Sequence, residues 1–138
     1  KLAFILKGYN KINMAESFDV EDKIKKVAEK LPGCYFLSLV GYDGITIAQY
    51  IVETKFDSVV FDAEMATLMT SARGVSQDLN LKRQIELIWL TEDIYIITYF
   101  IRAEYFLYAA LSPRNSNPGL ARIELKRLSV EIEKVFYE

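Results

Sequence analysis

The sequence of 138 residues contains no histidine and a single cysteine, Cys34. Because histidine is the commonest general base and the usual activator of serine and cysteine nucleophiles, a hydrolytic triad is not expected. One thiol cannot form an internal disulfide, and without histidine it has no partner for a zinc site. These absences predict a cytoplasmic protein without catalytic residues or a metal of its own.

Long apolar runs, an excess of positive charge and phosphate-binding loops are missing as well. No uninterrupted apolar run reaches the roughly 18 to 20 residues that a membrane-spanning helix needs. The net charge of −2 gives no electrostatic footprint for nucleic acid. Gly41 and Gly44 fall in a predicted hairpin and Gly33 follows proline, so no glycine-rich nucleotide fingerprint is present. We expect no membrane insertion, no nucleic-acid partner and no nucleotide cofactor.

The length accommodates one hydrophobic core. We expect residues 1–16 to be an N-terminal extension, poorly ordered, and residues 17–138 to form a single domain. Two interpretations of the first thirteen residues stay open. Either Met14 is the biological start and the leader is an upstream extension, or Leu2 to Leu6 pack on the core as a short extra element.

Local patterns predict the order helix, two strands, helix, three strands, helix. Asp19 is suited to cap the first helix, Pro32 and Gly33 end it, and Asp43-Gly44 is a strong hairpin signal. The predicted elements are a helix from about Val20 to Leu31, strands Cys34–Val40 and Ile45–Val52, a helix from about Val60 to Leu79, strands Gln84–Leu90, Ile94–Ile101 and Tyr105–Leu111, and a helix that begins near Asn117.

The fourth and fifth predicted strands are apolar almost throughout, which indicates that both faces of their sheet are covered. The sequence therefore predicts an α+β fold. Its five-stranded antiparallel sheet carries the middle helix on one face and the two terminal helices on the other, in the order α-β-β-α-β-β-β-α.

The last helix opens with an Asn-x-Gly-x-x-Arg run at Asn117, Gly119 and Arg122. Taken alone, these are ordinary residues for starting a helix. Together with the element order, the run resembles the closing segment of a bacterial or archaeal roadblock domain, and the resemblance extends from about Val20 to Phe136. It implies a roadblock/profilin-like fold, dimerisation through the middle helix and the adjoining strand edge, and a small Ras-like GTPase as partner.

The middle helix has two unlike faces. A helical wheel places one apolar stripe toward the sheet: Phe61, Met65, Leu68, Ala72, Val75 and Leu79. The reverse side is made of small residues, and a glycine inside a helix costs roughly 0.8 to 1 kcal/mol relative to alanine. We expect another chain to approach this side closely; the alternative is a tolerated solvent face.

The third predicted strand has no proline or inward-pointing lysine to protect it at a sheet edge, so we expect it to pair with a second subunit. Trp89 in this strand is either a dimer anchor or a core residue. The predicted dimer interface comprises Ala63, Ala66, Thr67, Thr70, Gly74, Glu86, Ile88 and Trp89. The predicted partner-binding residues are Glu64, Ser71, Arg73, Gln77 and Asp78.

Three functions remain open. The first is a homodimer, or a dimer with a roadblock paralogue, that binds a Ras-like GTPase and stimulates its hydrolysis. The second is a noncatalytic scaffold subunit of a larger motor or signalling complex, and the third is a small-molecule sensor. No arginine finger is assigned: Arg114 in its loop is the remaining candidate, whereas Arg122 and Arg127 are expected on the polar face of the last helix.

Overall fold

The computed structural model describes residues 14–138, and it describes side chains from Asp19 onward. The alternatives for residues 1–13 therefore lie outside the described residues. The elements in chain order are α1 Met14–Lys30, β1 Cys34–Gly41, β2 Thr46–Ile51, α2 Ser58–Asp78, β3 Glu86–Leu90, β4 Tyr95–Ile101, β5 Tyr105–Leu111 and α3 Pro118–Tyr137. The predicted element order is confirmed, although α1 begins earlier than the expected Val20.

The strands form one antiparallel sheet in the order β2-β1-β5-β4-β3. Helices α1 and α3 cover one face, and α2 alone covers the other. This is the predicted α+β architecture. It leaves β2 and β3 as the two edge strands.

The central strand β5 shows why both faces are covered. Tyr105 and Leu107 alternate with Phe106 and Tyr108, the first pair facing the layer under α1 and α3 and the second facing α2. Every residue of β5 is buried. An apolar run without alternation therefore corresponds to a strand between two hydrophobic layers.

Helix α2 begins where Asp57 accepts hydrogen bonds from the backbone N–H groups of Val59 and Val60 at 3.1 and 3.2 Å. These bonds satisfy donors that have no partner inside the helix. The helix then crosses the β1 and β2 half of the sheet. Its buried residues are Ser58, Asp62, Met65, Ala66 and Met69.

The predicted sheet-facing stripe of α2 is wrong in its orientation. Val75 and Leu79 are 56% and 63% exposed, whereas Asp62 and Met69 are fully buried. At 100° per residue, these two lie about 100° and 80° around the helix from Phe61, which centred the prediction. The wheel left Asp62 out of the sheet-facing stripe, but this side chain finds hydrogen-bond partners in the sheet.

Candidate functional site: the exposed face of α2 and the edge strand β3

The outer side of α2 carries the small residues that the sequence predicted there. Ala63, Thr67 and Thr70 are exposed and Gly74 is half-buried; we call these four residues the small-residue face. A Cβ atom placed on Gly74 would meet nothing within 4 Å. Packing within the described residues therefore does not require glycine at this position.

Ala66 does not belong to this face. Its side chain is 3% exposed and packs in the layer with Met65 and Met69. The prediction that Ala66 offers surface to a second subunit is wrong, because the true orientation of α2 turns it toward the sheet.

The predicted partner-binding residues divide into two kinds. Glu64, Ser71, Gln77 and Asp78 are exposed on α2, as a contact surface requires. Arg73 is held within the subunit instead: its guanidinium lies 3.8 Å from the ring centroid of Tyr42, and its Nη1 donates a 2.7 Å hydrogen bond to the carbonyl oxygen of Ala103. Arg73 thereby connects α2 to the turn between β4 and β5.

Strand β3 is the edge strand beside β4, at the opposite end of the sheet from β2. In the described part of the chain it pairs with β4 alone, with Glu86 opposite Tyr99 and Trp89 opposite Ile96. Trp89 is 46% exposed and Ile88 is 41% exposed. Trp89 is therefore not a core residue of the subunit, and its role as a dimer anchor stays a prediction.

Between β3 and α2 lies an apolar groove of about 540 Å³. Trp89 and Ile94 form its strand side, while Phe61, Met65 and Leu68 line its helix side. Part of the stripe that the wheel assigned to the sheet thus lines an open groove. The groove joins the small-residue face to the edge strand as one continuous surface.

A cluster of polar and charged side chains connects β3 to α3. Glu86 accepts two hydrogen bonds from Arg122, from Nε at 2.9 Å and Nη2 at 2.8 Å, and a third from the hydroxyl of Tyr99. This bidentate contact with Arg122 holds the pKa of Glu86 below its ordinary value. The sequence analysis expected Arg122 on the polar face of the last helix; the side chain is exposed there and also contacts Glu86 of the edge strand.

The start of α3 positions that arginine. The side chain of Asn117 accepts a 3.1 Å hydrogen bond from the backbone N–H of Leu120, and Pro118 occupies the first turn. The cap fixes where the helix begins, and Arg122 follows one turn later. The Asn-x-Gly-x-x-Arg run therefore links the start of α3 to the position of β3. Arg127, by contrast, pairs with Glu124 on the exposed side of α3, where it was expected.

Under α2 lies a buried polar cluster that no local pattern in the sequence indicates. The carboxylate of Asp62 accepts hydrogen bonds from the Tyr108 hydroxyl at 2.6 Å, from Gln49 Nε2 at 3.1 Å and from the Thr46 hydroxyl. Burial raises the pKa of Asp62, and its hydrogen bonds oppose that rise. Gln49 also donates to Ser38 and accepts from the hydroxyl of Ser58.

The described residues offer little for chemistry of their own. Within them, no three acidic, cysteine or histidine side chains come together to hold a metal ion. Cys34 is 2% exposed, and burial raises the pKa of its thiol to about 12. None of the helices within residues 14–138 is long and apolar enough to cross a membrane.

A five-stranded antiparallel sheet between one helix and two, in this connection order, is the fold of a roadblock-like domain. Solved structures that share it include MglB of Myxococcus xanthus, with TM-score 0.74, 17% identity and 88% of each chain covered. An MglB with a tetrameric arrangement has TM-score 0.79 at 12% identity and covers 90% of this chain and 92% of that one.

A Roadblock/LC7 domain from Streptomyces avermitilis has TM-score 0.72 at 11% identity and covers 83% of this chain and 94% of that one. At such identities the likeness establishes the fold. No protein-family model matches the sequence, and no curated protein matches it.

Proposed function

We propose that the protein is a homodimer that binds a small Ras-like GTPase through the exposed side of α2. The carrying observation is the small-residue face, where Gly74 has no packing reason within the subunit. An interior helix glycine costs roughly 0.8 to 1 kcal/mol relative to alanine, so a close contact with another chain is the compensating gain.

The edge strand supports the dimer. Ile88, Trp89 and Leu90 are 41%, 46% and 58% exposed, and they carry no charge that would discourage strand pairing. Antiparallel pairing of β3 with its copy continues the sheet across the two subunits and places both α2 helices on the same face of it. The same contact covers the apolar groove beside Trp89.

Two α2 helices on one face of a continuous sheet create a composite surface that a single subunit lacks. Its polar contacts with the GTPase are Glu64, Ser71, Gln77 and Asp78, all exposed. Arg73 contributes at most the part of its guanidinium that Tyr42 and Ala103 leave accessible. In this proposal stimulation of hydrolysis acts by positioning the GTPase's own residues. Arg122 is bound to Glu86, and Arg73 keeps only part of its guanidinium accessible beside Tyr42 and Ala103.

A noncatalytic scaffold subunit, paired with itself or with a roadblock paralogue, is the second candidate. The observation that favours it is the engagement of Arg122 with Glu86, because that guanidinium is not free to stabilise the charge of a phosphoryl-transfer transition state. Turnover of GTP by the partner, measured with and without this protein, separates a regulator from a scaffold.

The direct test is titration calorimetry with a Ras-like GTPase from the same genome, loaded with a nonhydrolysable GTP analogue. Asp78→Lys should weaken the complex, with a larger loss for the GTP form than for the GDP form if the protein distinguishes the two states. Asp22→Lys is the matched control, because Asp22 is an exposed aspartate on α1, across the sheet from α2. Equal affinity of both variants in an intact dimer would place the GTPase site on another face.

A further inference from the structure

A second concave site lies at the C-terminal end of α2. It is a pocket of about 270 Å³ between the end of the helix, the segment that leads into β3, and the turn between β4 and β5. Its apolar part is formed by Tyr42, Leu81 and Phe100. The charged side chains that line it are all cations: Arg73, Lys82, Arg83 and Arg102.

One of these cations is fixed in place by the fold. The Arg73 guanidinium stacks on the ring of Tyr42, which in turn lies parallel to Phe100 with 6.3 Å between ring centroids. One of its five N–H groups is used on the carbonyl of Ala103. A side chain held this way loses little further rotamer freedom when its remaining N–H groups bind a ligand.

The positive charge in the pocket is only partly balanced. Arg102 pairs with Glu133 at 3.1 Å. Among the described residues, no carboxylate lies within 4.0 Å of the charged groups of Arg73, Lys82 or Arg83. Three uncompensated cations therefore converge on one pocket in a chain whose net charge is −2.

We infer that this pocket binds a small phosphate-bearing molecule, held by Arg73, Lys82 and Arg83. A phosphoryl group carries close to two negative charges at neutral pH and three acceptor oxygens, which fits three converging cations better than a single carboxylate does. Ser76, Gln77 and Gln84 add neutral polar groups at the rim. The volume limits the ligand to a few heavy atoms beyond the phosphate, and Leu81 and Phe100 give that remainder an apolar contact.

This inference does not require the GTPase complex, so it is tested on the isolated protein. Pyrophosphate and inorganic phosphate are titrated by calorimetry at 150 mM salt, and the amide signals of Gln84 and Ala103 are followed by NMR. We expect saturable binding of pyrophosphate at one site per chain, with shifts confined to the pocket. Lys82→Gln together with Arg83→Gln should weaken binding by about tenfold or more, because each lost contact is a charged hydrogen bond.

Arg114→Gln is the matched control, since Arg114 is an exposed loop arginine outside the pocket. The double variant removes two exposed side chains that have no ion-pair partner among the described residues, so it keeps the fold even if Arg73→Gln does not. Equal losses in the control and the double variant would overturn the proposal, as would the absence of localised shifts at millimolar pyrophosphate. Tighter binding of a hexaglutamate peptide than of pyrophosphate would also overturn it, since the ligand would then be an acidic protein segment.

Discussion

Replacing Asp62 tests whether the buried polar cluster sets the orientation of α2. Asp62→Ala removes the acceptor for Tyr108, Gln49 and Thr46 at once. The Tyr108 hydroxyl is fully buried and loses its partner, which costs about 1 to 3 kcal/mol on its own. With the lost charged hydrogen bonds and the small cavity, we expect a destabilisation of about 3 to 5 kcal/mol.

Asp62→Asn is the conservative comparison. An asparagine oxygen still accepts from Tyr108, but its NH₂ group replaces the oxygen that accepts from both Gln49 and Thr46. We expect a smaller loss than for alanine, about 1 to 3 kcal/mol, because these two donors lose their acceptor while Tyr108 keeps its own. A chain of this size loses roughly 4 °C in Tm per kcal/mol, so thermal and urea unfolding both resolve the two variants.

The pH dependence of the free energy of unfolding distinguishes the loss of the Asp62 carboxyl group from a general packing defect. Burial raises the pKa of Asp62 above its unfolded value, so its titration contributes stability that is fully present below about 3.8 and is lost as the pH rises through the raised folded pKa. The asparagine variant has no such group. The deficit of Asp62→Asn relative to the parent should therefore grow as the pH is lowered from 7 toward 4, in urea melts at matched ionic strength. A deficit that stays constant or shrinks over that window would refute the reasoning.

The remaining predictions concern the proposed dimer. Gly74→Arg should raise the dimer dissociation constant by roughly tenfold or more while circular dichroism stays unchanged, since bulk forced into a packed contact costs about 1 to 3 kcal/mol. Gly74→Ala is the control. A parent protein that is monomeric in light scattering at high micromolar concentration would contradict the dimer. Trp89 is the only tryptophan, so its emission maximum should shift to shorter wavelength as the protein concentration and the measured molar mass rise together. An emission maximum that stays constant while the molar mass increases would show that Trp89 is not in the interface. Arg122→Gln should weaken the dimer more than it lowers subunit stability. Because Arg122 lowers the pKa of Glu86, the contribution of this ion pair is present above about pH 4.5 and is lost as the pH falls through the folded pKa. The difference in dimer affinity between Arg122→Gln and the parent should therefore become smaller at acidic pH. A difference that does not change with pH would mean that the charge of Glu86 is not involved.

The sequence predicted the element order because each signal is local. The Asp43-Gly44 turn, the Pro32-Gly33 stop and the cap at Asn117 each act within a few residues of the structure they specify. The two-layer architecture also followed, since a strand such as β5 without alternation must be covered on both faces.

The orientation of α2 could not be predicted in the same way. It depends on Asp62 meeting Thr46, 16 residues away, and Tyr108, 46 residues away. An apolar stripe drawn on a helical wheel leaves out a charged residue, and nothing near Asp62 in sequence indicates that its carboxylate is hydrogen-bonded in the interior. The error moved Ala66 onto the exposed face and Val75 and Leu79 off it.

The polar contacts of the candidate site could not be predicted either, because they also join residues that are far apart in sequence. Arg122 and Glu86 are 36 residues apart, and Arg73 and Ala103 are 30 residues apart. Only a known sheet order brings these partners together. The sequence therefore predicts which segments form the candidate site but not which of its charged side chains are already engaged within the subunit.

The proposed interface has two parts, the exposed side of α2 and the edge strand β3, and each part contacts one polar cluster. The Asp62 cluster lies under α2, and the Arg122–Glu86 cluster lies against β3. Apolar contact is non-directional, so a surface built from Trp89, Ile88 and the small-residue face would not by itself select one pairing register or one angle between helices. Hydrogen bonds are directional. Asp62 fixes the orientation of α2 on the sheet, and Arg122 fixes β3 against α3, so the apolar surface is presented in one geometry. The specificity of the proposed assembly then rests on side chains that do not themselves touch the second subunit.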